Sequence, residues 1–378
     1  MSQNEDYGMF KTVFTEIQMI GEDKYSLDIG APGVKILRSA ATFLLKATEM
    51  RLEREISGDG DLLQYGSRMG DPDYRTNLAK FLSEEYDDNV DPKSLFTTSG
   101  ATSGLSLLAS TFFSSGDYIF TEDPTFYLVN GIVSIDLGLK TVPKKCEKLV
   151  KIARDYNMLV ISDDVYNLLC FEKDGDDFKR APPRLYQYDV KSDKDYFGNI
   201  VSNGSFSKLL GPGLRLGWIE APTVVLNKLM MNGCLSSSGC LNHYTSGIVG
   251  SSLNTDLFNN YLLMVRNTGK EKLDAVTEVL QKHCPKNVKY KIPKGGYFIW
   301  IELPSFVDTQ ELNEDCKRFH NISCNPGILC SISRGYHNCL RICFMYYSPE
   351  ELRNAIKKLL ETIKLRLKRA ADNNEVIK

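Results

Sequence analysis

The chain has 378 residues, of which 42% are hydrophobic and 25% are charged. The length exceeds that at which one core usually stops growing, and the composition excludes a disordered chain, a fibrous repeat and a membrane bundle. Lys and Arg number 46 against 48 Asp and Glu, a net charge of −2, which favours a small-molecule ligand over nucleic acid or an anionic membrane.

The cysteines and the N-terminus indicate the compartment. All ten cysteines follow residue 145, and no C-x-x-C pair occurs, so a zinc site or a disulfide framework is not expected. Reduced thiols in the cytoplasm fit this pattern better. The first residues lack the apolar core of a signal peptide, and no apolar run approaches about 18 residues, so no membrane partner is expected.

The pattern of elements predicts an α/β fold. After an opening segment that contains the turn-forming cluster Gly30–Gly33, short β-rich runs alternate with helical stretches from about residue 91 to 222. This alternation is typical of a large, mostly parallel sheet with helices on both faces. Residues 253–283 have helical apolar spacing over a length that suits a helix bridging two domains.

A second, smaller α+β domain is expected after that helix. Its predicted strands are KGGYFIWIELP and CLRICFMYYS, and residues 349–370 form its closing amphipathic helix. The opening segment is expected to join it. The predicted large domain is therefore residues 45–265, and the predicted small domain combines 1–44 with 266–378.

Two strand ends in the large domain carry chemistry. Small residues at Gly100, Ala101 and Thr102 follow the strand SLFTT and leave helix N–H groups open to an anion, although alone they mark only a helix start. The strand NMLVISDD ends at Asp163, on the sheet edge where open α/β folds place ligands. An acid pair at a turn is the commoner explanation when it stands alone.

The most informative stretch is SNGSFSKLLGPGLRLGW, which surrounds Lys208 with small hydroxyl and glycine residues. An aldehyde cofactor needs a lysine whose amine can lose its proton, with donors nearby for an anionic group. Lys208, Ser205 and Arg215 could supply these. The glycines miss the G-x-G-x-x-G spacing because residue 216 is Leu, and no P-loop occurs.

With these motifs in this order, the sequence resembles the fold-type I pyridoxal-phosphate enzymes, and among them the class I and II aminotransferases of the aromatic or 2-aminoadipate type. SFSKxLxPGLRLGW is the specific signature. The resemblance implies that Lys208 binds the cofactor and moves a proton between substrate Cα and cofactor C4′. It further implies that Ser205, Arg215 and the Gly100–Thr102 turn hold the cofactor phosphate.

The same resemblance assigns the cofactor ring. Asp163 would pair with the pyridine N–H, which keeps the ring an electron sink, and Tyr166 would donate to the ring oxygen O3′. Phe126, in the segment Asp123–Tyr127, would stack on the ring, although a core phenylalanine is the alternative reading. The implied catalytic residues are thus Lys208, Asp163 and Tyr166.

The resemblance also implies substrate and partner contacts. Arg341, in the strand CLRICF, would clamp the substrate α-carboxylate, with a structural salt bridge as the alternative. Gly33 would belong to the loop over the substrate. Tyr65 resembles the tyrosine that reaches the phosphate of a neighbouring subunit, which implies a homodimer with shared active sites. The expected substrates are an L-amino acid of 2-aminoadipate, aromatic or glutamate type and a 2-oxo acid.

The chain departs from the family pattern at one place. The strand LKTVP, ending at Pro143, runs directly into the helix that normally follows an Asn-Pro-x-Gly strand, and that motif is absent. Asn325-Pro326-Gly327 lies in the wrong domain with the wrong spacing. The loss of one β-α unit would expose two sheet edges or force the strands to pair anew. Two alternatives therefore stay open: an impaired or inactive homologue, and another pyridoxal-phosphate enzyme such as a C–S lyase or decarboxylase.

Overall fold

The computed structural model describes residues 24–125, 140–143 and 149–376. Its α-helices are α1 (Val34–Ile56), α2 (Pro72–Tyr86), α3 (Ala101–Phe112), α4 (Leu149–Asp155), α5 (Thr223–Leu229), α6 (Gly233–Ser238), α7 (His243–Ser252), α8 (Asp256–His283), α9 (Thr309–His320) and α10 (Pro349–Val376). Its strands are β1 (Tyr25–Ser26), β2 (Leu95–Thr98), β3 (Tyr118–Thr121), β4 (Lys140–Pro143), β5 (Val160–Asp163), β6 (Lys173–Asp174), β7 (Asp177–Phe178), β8 (Ile200–Ser205), β9 (Gly217–Glu220), β10 (Lys289–Lys291), β11 (Phe298–Glu302), β12 (Ile322–Ser323), β13 (Asn325–Pro326) and β14 (Cys339–Cys343).

The main sheet has the strand order β2-β9-β8-β5. Strands β5 and β8 are parallel, and β9 runs antiparallel to both of its neighbours. Consequently β2, β5 and β8 all end at the same edge of the sheet. Strand β8 is buried over its whole length, as expected for a central strand. This α/β architecture with a mixed sheet confirms the predicted fold class.

The second sheet is antiparallel, in the order β10-β11-β14-β13. Strand β1 pairs in parallel with β12, which ties the first described residues to the C-terminal part of the chain. The predicted strands and helices of this part are confirmed, and α8 packs against α10. The proposed boundaries at 44/45 and 265/266 stay a prediction, because α1 and α8 run unbroken through them.

Among the described strands, the main sheet ends at β5. Strands β3 and β4 form a separate parallel pair, and within the described ranges β5 has a strand partner only in β8. On β3, Tyr118 and Phe120 are 62% and 50% exposed, unusual for aromatic side chains of a strand inside an α/β sheet. In the described ranges β5 is therefore an edge strand of the main sheet, and the loss of one β-α unit stays a prediction.

Local signals in the sequence fix several helix ends. Helix α2 begins with Pro72 after Asp71, whose carboxylate accepts the Tyr74 N–H at 2.7 Å. Helix α8 begins after Thr255, whose hydroxyl accepts the Phe258 N–H, and it ends in basic residues. No helix among the described residues is both long enough and apolar enough to cross a membrane.

Candidate active site

The predicted site residues of the large domain meet at one edge of the main sheet. Thr98, Asp163 and Ser205 are the last residues of β2, β5 and β8. Gly217 begins β9 at the same edge and pairs with both Thr98 and Ser205. The turn before α3, the end of β5 and the loop that carries Lys208 therefore converge, as expected for ligand groups of an open α/β sheet.

Lys208 follows β8 and is half-buried. Its Nζ donates to the Gly30 carbonyl at 2.5 Å and lies 5.9 and 5.7 Å from the ring centres of Tyr166 and Tyr297. Desolvation lowers the pKa of this amine, and the positive charge of Arg341 acts in the same direction. A lowered pKa enlarges the neutral fraction, the form that attacks an aldehyde.

Asp163 lies beside the central strand. Its Oδ1 accepts from the Asn203 amide at 2.9 Å. The carboxylate has accessible surface in the cleft, yet the surrounding protein atoms desolvate it and raise its pKa to about 6, with Asn203 and Lys208 opposing the rise and Asp164 adding to it. Above that pH the ionised group can accept a ring N–H.

An anion cradle lies between β2 and the loop after Lys208. Gly100 precedes α3 without a side chain to cap it, so the first N–H groups of α3 are open to an anion. Its φ of +90° suits glycine, and a Cβ there would lie 2.8 Å from Nη2 of Arg215. That guanidinium donates to the Ser99 carbonyl and the Ser207 hydroxyl, each at 3.3 Å.

The substrate-side residues come from the N-terminal loop and β14. The guanidinium carbon of Arg341 is 4.1 Å from the ring centre of Phe298, and its Nη2 donates to the Asp28 carbonyl at 3.2 Å. Gly33 precedes α1, and its N–H donates to the Met345 carbonyl at 3.0 Å. Arg341 is close enough to Lys208 for its charge to lower the pKa of that amine, whereas Gly33 is held against the segment that follows β14.

Two predicted residues do not enter the described site of this chain. Tyr65 lies on the surface with 81% of its area exposed. Phe126 falls outside the described residues. Two hydrogen bonds hold the turn before it. The Thr125 N–H donates to the Cys330 carbonyl at 2.8 Å, and the Tyr336 hydroxyl donates to the Asp123 carbonyl at 2.9 Å.

Three site residues escaped the sequence analysis. Ser207 donates its N–H to the Ser205 hydroxyl at 3.1 Å and faces Arg215. Tyr297 donates to the Lys208 carbonyl at 2.6 Å. Asn203 holds Asp163. An available signal was the amide in the otherwise strand-like run IVSNGS, because a polar group in a central strand needs a partner.

The donor set fits one kind of cofactor. Open helix N–H groups, Arg215 and two serine hydroxyls suit a phosphate, the amine of Lys208 suits an aldehyde, and Asp163 suits a ring N–H. In the described ranges no group of three or more His, Cys, Asp or Glu could hold a metal ion. Fold and site together define a pyridoxal-phosphate enzyme of fold type I.

The chain belongs to the class I and II aminotransferase family, whose sequence model matches residues 37–139 and 137–359. It is 27% identical over 352 residues to aromatic-amino-acid aminotransferase 1 of Thermococcus litoralis, covering 81% of both proteins. It is 28% identical over 246 residues to 2-aminoadipate transaminase of Thermus thermophilus, covering 64% of this chain and 58% of that protein.

A solved structure supports the fold. The multiple substrate aminotransferase from Thermococcus profundus superposes with a TM-score of 0.77 at 22% identity, over 98% of this chain and 96% of that one. The resemblance found in the sequence is thereby confirmed, and so is its functional consequence, pyridoxal-phosphate-dependent transamination between an amino acid and an oxo acid. The two stretches matched by the family model meet at residues 137–139, close to the predicted deletion.

Proposed function

We propose that Lys208, Asp163 and Tyr166 carry out the transamination in this chain. The observation that carries the proposal is the position of Lys208, a desolvated amine of lowered pKa near an ionisable carboxylate and beside an anion cradle. The lowered pKa supports the proposal because it occurs together with Asp163 and with the Arg215 guanidinium of the anion cradle.

Each group has a definite task. When bound, pyridoxal phosphate supplies an electron sink for the electron pair that remains when the substrate loses its Cα proton. With the cofactor bound, Nζ of Lys208 would accept that proton from Cα and would donate it at C4′. Asp163 would accept a hydrogen bond from the ring N–H, and the Tyr166 hydroxyl would donate a hydrogen bond to O3′. Gly100–Thr102, Ser205 and Arg215 bind the phosphate.

Arg341 is proposed to orient the substrate by its α-carboxylate, because a planar guanidinium offers two parallel donors. The ring of Phe298 lies against this guanidinium and 5.8 Å from the ring of Tyr166, so the carboxylate site has an aromatic wall. The names of the two relatives support an L-amino acid of aromatic or 2-aminoadipate type, with a glutamate-type substrate also expected. Gly33 is proposed to lie in the loop that covers this substrate.

A homodimer is proposed on the exposure of Tyr65. In a dimer with shared sites, this tyrosine would bind the phosphate in the neighbouring subunit, whereas in one chain it has 81% of its area in solvent. Phe126 is proposed to stack on the cofactor ring. The described cysteines are free thiols, which supports a reducing compartment, the cytoplasm.

The test is the visible absorbance of purified protein mixed with pyridoxal phosphate. Wild type is expected to show a protein-bound band distinct from that of the free cofactor, and Lys208→Ala is expected to lose it. Lys289→Ala is the control, because this lysine is 77% exposed in a surface ion pair with Glu302. If wild type and Lys208→Ala give the same spectrum, Lys208 does not bind the cofactor.

The same purified protein, mixed with pyridoxal phosphate, also tests two alternative functions. An impaired homologue is suggested by the absence of the Asn-Pro-x-Gly motif and by the end of the main sheet at β5 in the described ranges, since Asp163 is the last residue of β5. It would bind the cofactor weakly and show less than about one thousandth of the turnover typical of enzymes, about 10 per second. A C–S lyase or decarboxylase would bind it well, but pyridoxamine phosphate would not accumulate with amino acid alone. A transaminase accumulates it in one equivalent.

A further inference from the structure

Asn203 is an amide at the centre of the main sheet. It lies in β8 between Asp163 of β5 and Ile219 of β9, with 0% of its surface exposed. A buried amide costs stability unless its polar atoms find partners. Its nitrogen has two hydrogen-bond partners, one in the ring-binding part and one in the phosphate-binding part of the proposed cofactor site.

The amide nitrogen of Asn203 links these two parts of the site by hydrogen bonds. Nδ2 of Asn203 donates to Asp163 Oδ1 at 2.9 Å and to the Ala101 carbonyl at 2.9 Å. Ala101 is the first residue of α3, the helix whose N-terminus forms part of the anion cradle. A carbonyl can only accept, so this second bond fixes the amide orientation and turns its other N–H toward Asp163.

The oxygen of the Asn203 amide also faces helix α3, one turn further along. A Cβ at Gly104 would lie 2.3 Å from Asn203 Oδ1, and this oxygen has no hydrogen-bond partner in the described part of the chain. Alanine is a better helix former than glycine at such a position. The glycine therefore gives the amide the room that it needs to reach Asp163.

We infer that Asn203 is a positioning residue, which ties the carboxylate of Asp163 to the first turn of α3 and so fixes the spacing between the ring-binding and phosphate-binding groups. The role for the cofactor rests on the proposed function. With Oδ1 held by the amide, Oδ2 of Asp163 is the oxygen assigned to the ring N–H. Asp164 and Lys208 are the charged groups that also act on this carboxylate.

The first experiment uses protein without cofactor. Carboxyl resonances of ¹³C-labelled aspartate are followed against pH, and the signal of Asp163 is identified by its loss in Asp163→Asn. In wild type its pKa is expected at about 6. Asn203→Leu keeps the approximate size but removes the donor, and it is expected to raise that pKa by about one pH unit, since a bond to the ionised form is lost.

Asn199→Leu is the matched control. Asn199 is also buried, just before β8, and its Nδ2 donates to the Met158 carbonyl at 3.0 Å. It lies four residues, about 13 Å along the strand, from Asn203, so its loss is expected to lower stability and leave the pKa of Asp163 unchanged. An equal pKa change in both leucine variants would assign Asn203 a merely structural role and overturn the inference.

Gly104→Ala supplies an independent variant that keeps the amide. Its methyl group displaces Oδ1 of Asn203, and the pKa of Asp163 is expected to rise as in Asn203→Leu, even though the helix gains a better helix former. An unchanged pKa in this variant and in Asn203→Leu would refute the coupling.

In protein loaded with pyridoxal phosphate, Asn203→Leu is expected to weaken cofactor affinity about tenfold, the equivalent of about 1.4 kcal/mol. An unchanged affinity, measured by fluorescence titration, overturns the positioning role. Failure of the proposed function has a different signature, because wild type would then show no bound cofactor while the titration of Asp163 still reports on Asn203.

Discussion

Lys272 is a second buried lysine, and its removal is expected to stabilise the protein. It lies in helix α8 with 3% of its surface exposed, and desolvation lowers the pKa of its amine from 10.5 to about 8. Its Nζ donates to the Met345 carbonyl at 2.7 Å, and the Gly33 N–H donates to the same oxygen at 3.0 Å. In Lys272→Met that carbonyl therefore keeps one partner.

The size of the effect follows from the two pKa values. A fall from 10.5 to about 8 corresponds to a loss of about 3 kcal/mol of stability at neutral pH. The variant also loses one hydrogen bond, which offsets about 1 kcal/mol. Lys272→Met is thus expected to be about 2 kcal/mol more stable than wild type at pH 6.5.

The advantage should disappear at high pH. Below pH 8 the amine is charged in both states, and the full penalty is present. As the pH rises from 8 toward 10.5, the folded protein releases the proton before the unfolded chain does, so wild type regains stability. Between pH 6.5 and 9.5 the difference between the two proteins should shrink by about 2 kcal/mol.

Urea unfolding of both proteins at these two pH values measures the effect. Lys282→Met is the control on the same helix, because Lys282 is 63% exposed in an ion pair with Glu278, and it should change stability by less than about 0.5 kcal/mol at either pH. A variant less stable than wild type at pH 6.5, or a difference that does not change with pH, refutes the reasoning.

Three further substitutions have definite outcomes. Arg341→Lys should raise KM for amino acids about 10- to 100-fold with a smaller change in kcat, since lysine offers no parallel pair of donors, and an amine substrate without a carboxylate should be unaffected. Ser207→Ala should weaken pyridoxal-phosphate binding about tenfold, measured by equilibrium dialysis, if its hydroxyl serves the phosphate. Arg184→Met should lower the free energy of unfolding by about 3–5 kcal/mol, because it leaves Glu220 buried without the guanidinium that donates to it at 2.6 Å; a loss below about 1 kcal/mol would contradict this.

The sequence located the groups that occupy strand ends. Gly100, Asp163 and Ser205 follow or end strands of one sheet, and the carboxyl ends of parallel strands must meet at one edge. Their position at the end of a predicted strand was therefore enough to predict that they lie close together. The absence of Asn-Pro-x-Gly predicts a lost strand, and this stays a prediction; in the described ranges β3 and β4 form a pair separate from the main sheet.

Contacts that depend on packing between distant segments could not be derived in this way. Asn203 bonds Ala101 across 102 residues of sequence, and Tyr297 bonds the Lys208 carbonyl across 89. Periodicity shows which face of an element is apolar, but it does not show which distant residue meets that face. The hydrogen bond of Lys272 could not be derived for the same reason, because the helical pattern around it does not indicate that its amine contacts the Met345 carbonyl.

The direction of the pKa shift distinguishes the buried charged groups of the proposed site from those in structural ion pairs. At Lys208, Asp163 and Lys272 desolvation outweighs the partners and disfavours the charged form. At Arg184 and Arg154, carboxylate partners outweigh desolvation and favour the charged form. Shifts that lower stability persist where chemistry or positioning requires them. Lys208 and Asp163 lie at the edge of the main sheet, and Lys272 donates to the carbonyl that also accepts the Gly33 N–H. The groups whose desolvation lowers stability are therefore concentrated around the proposed catalytic lysine and the proposed substrate loop.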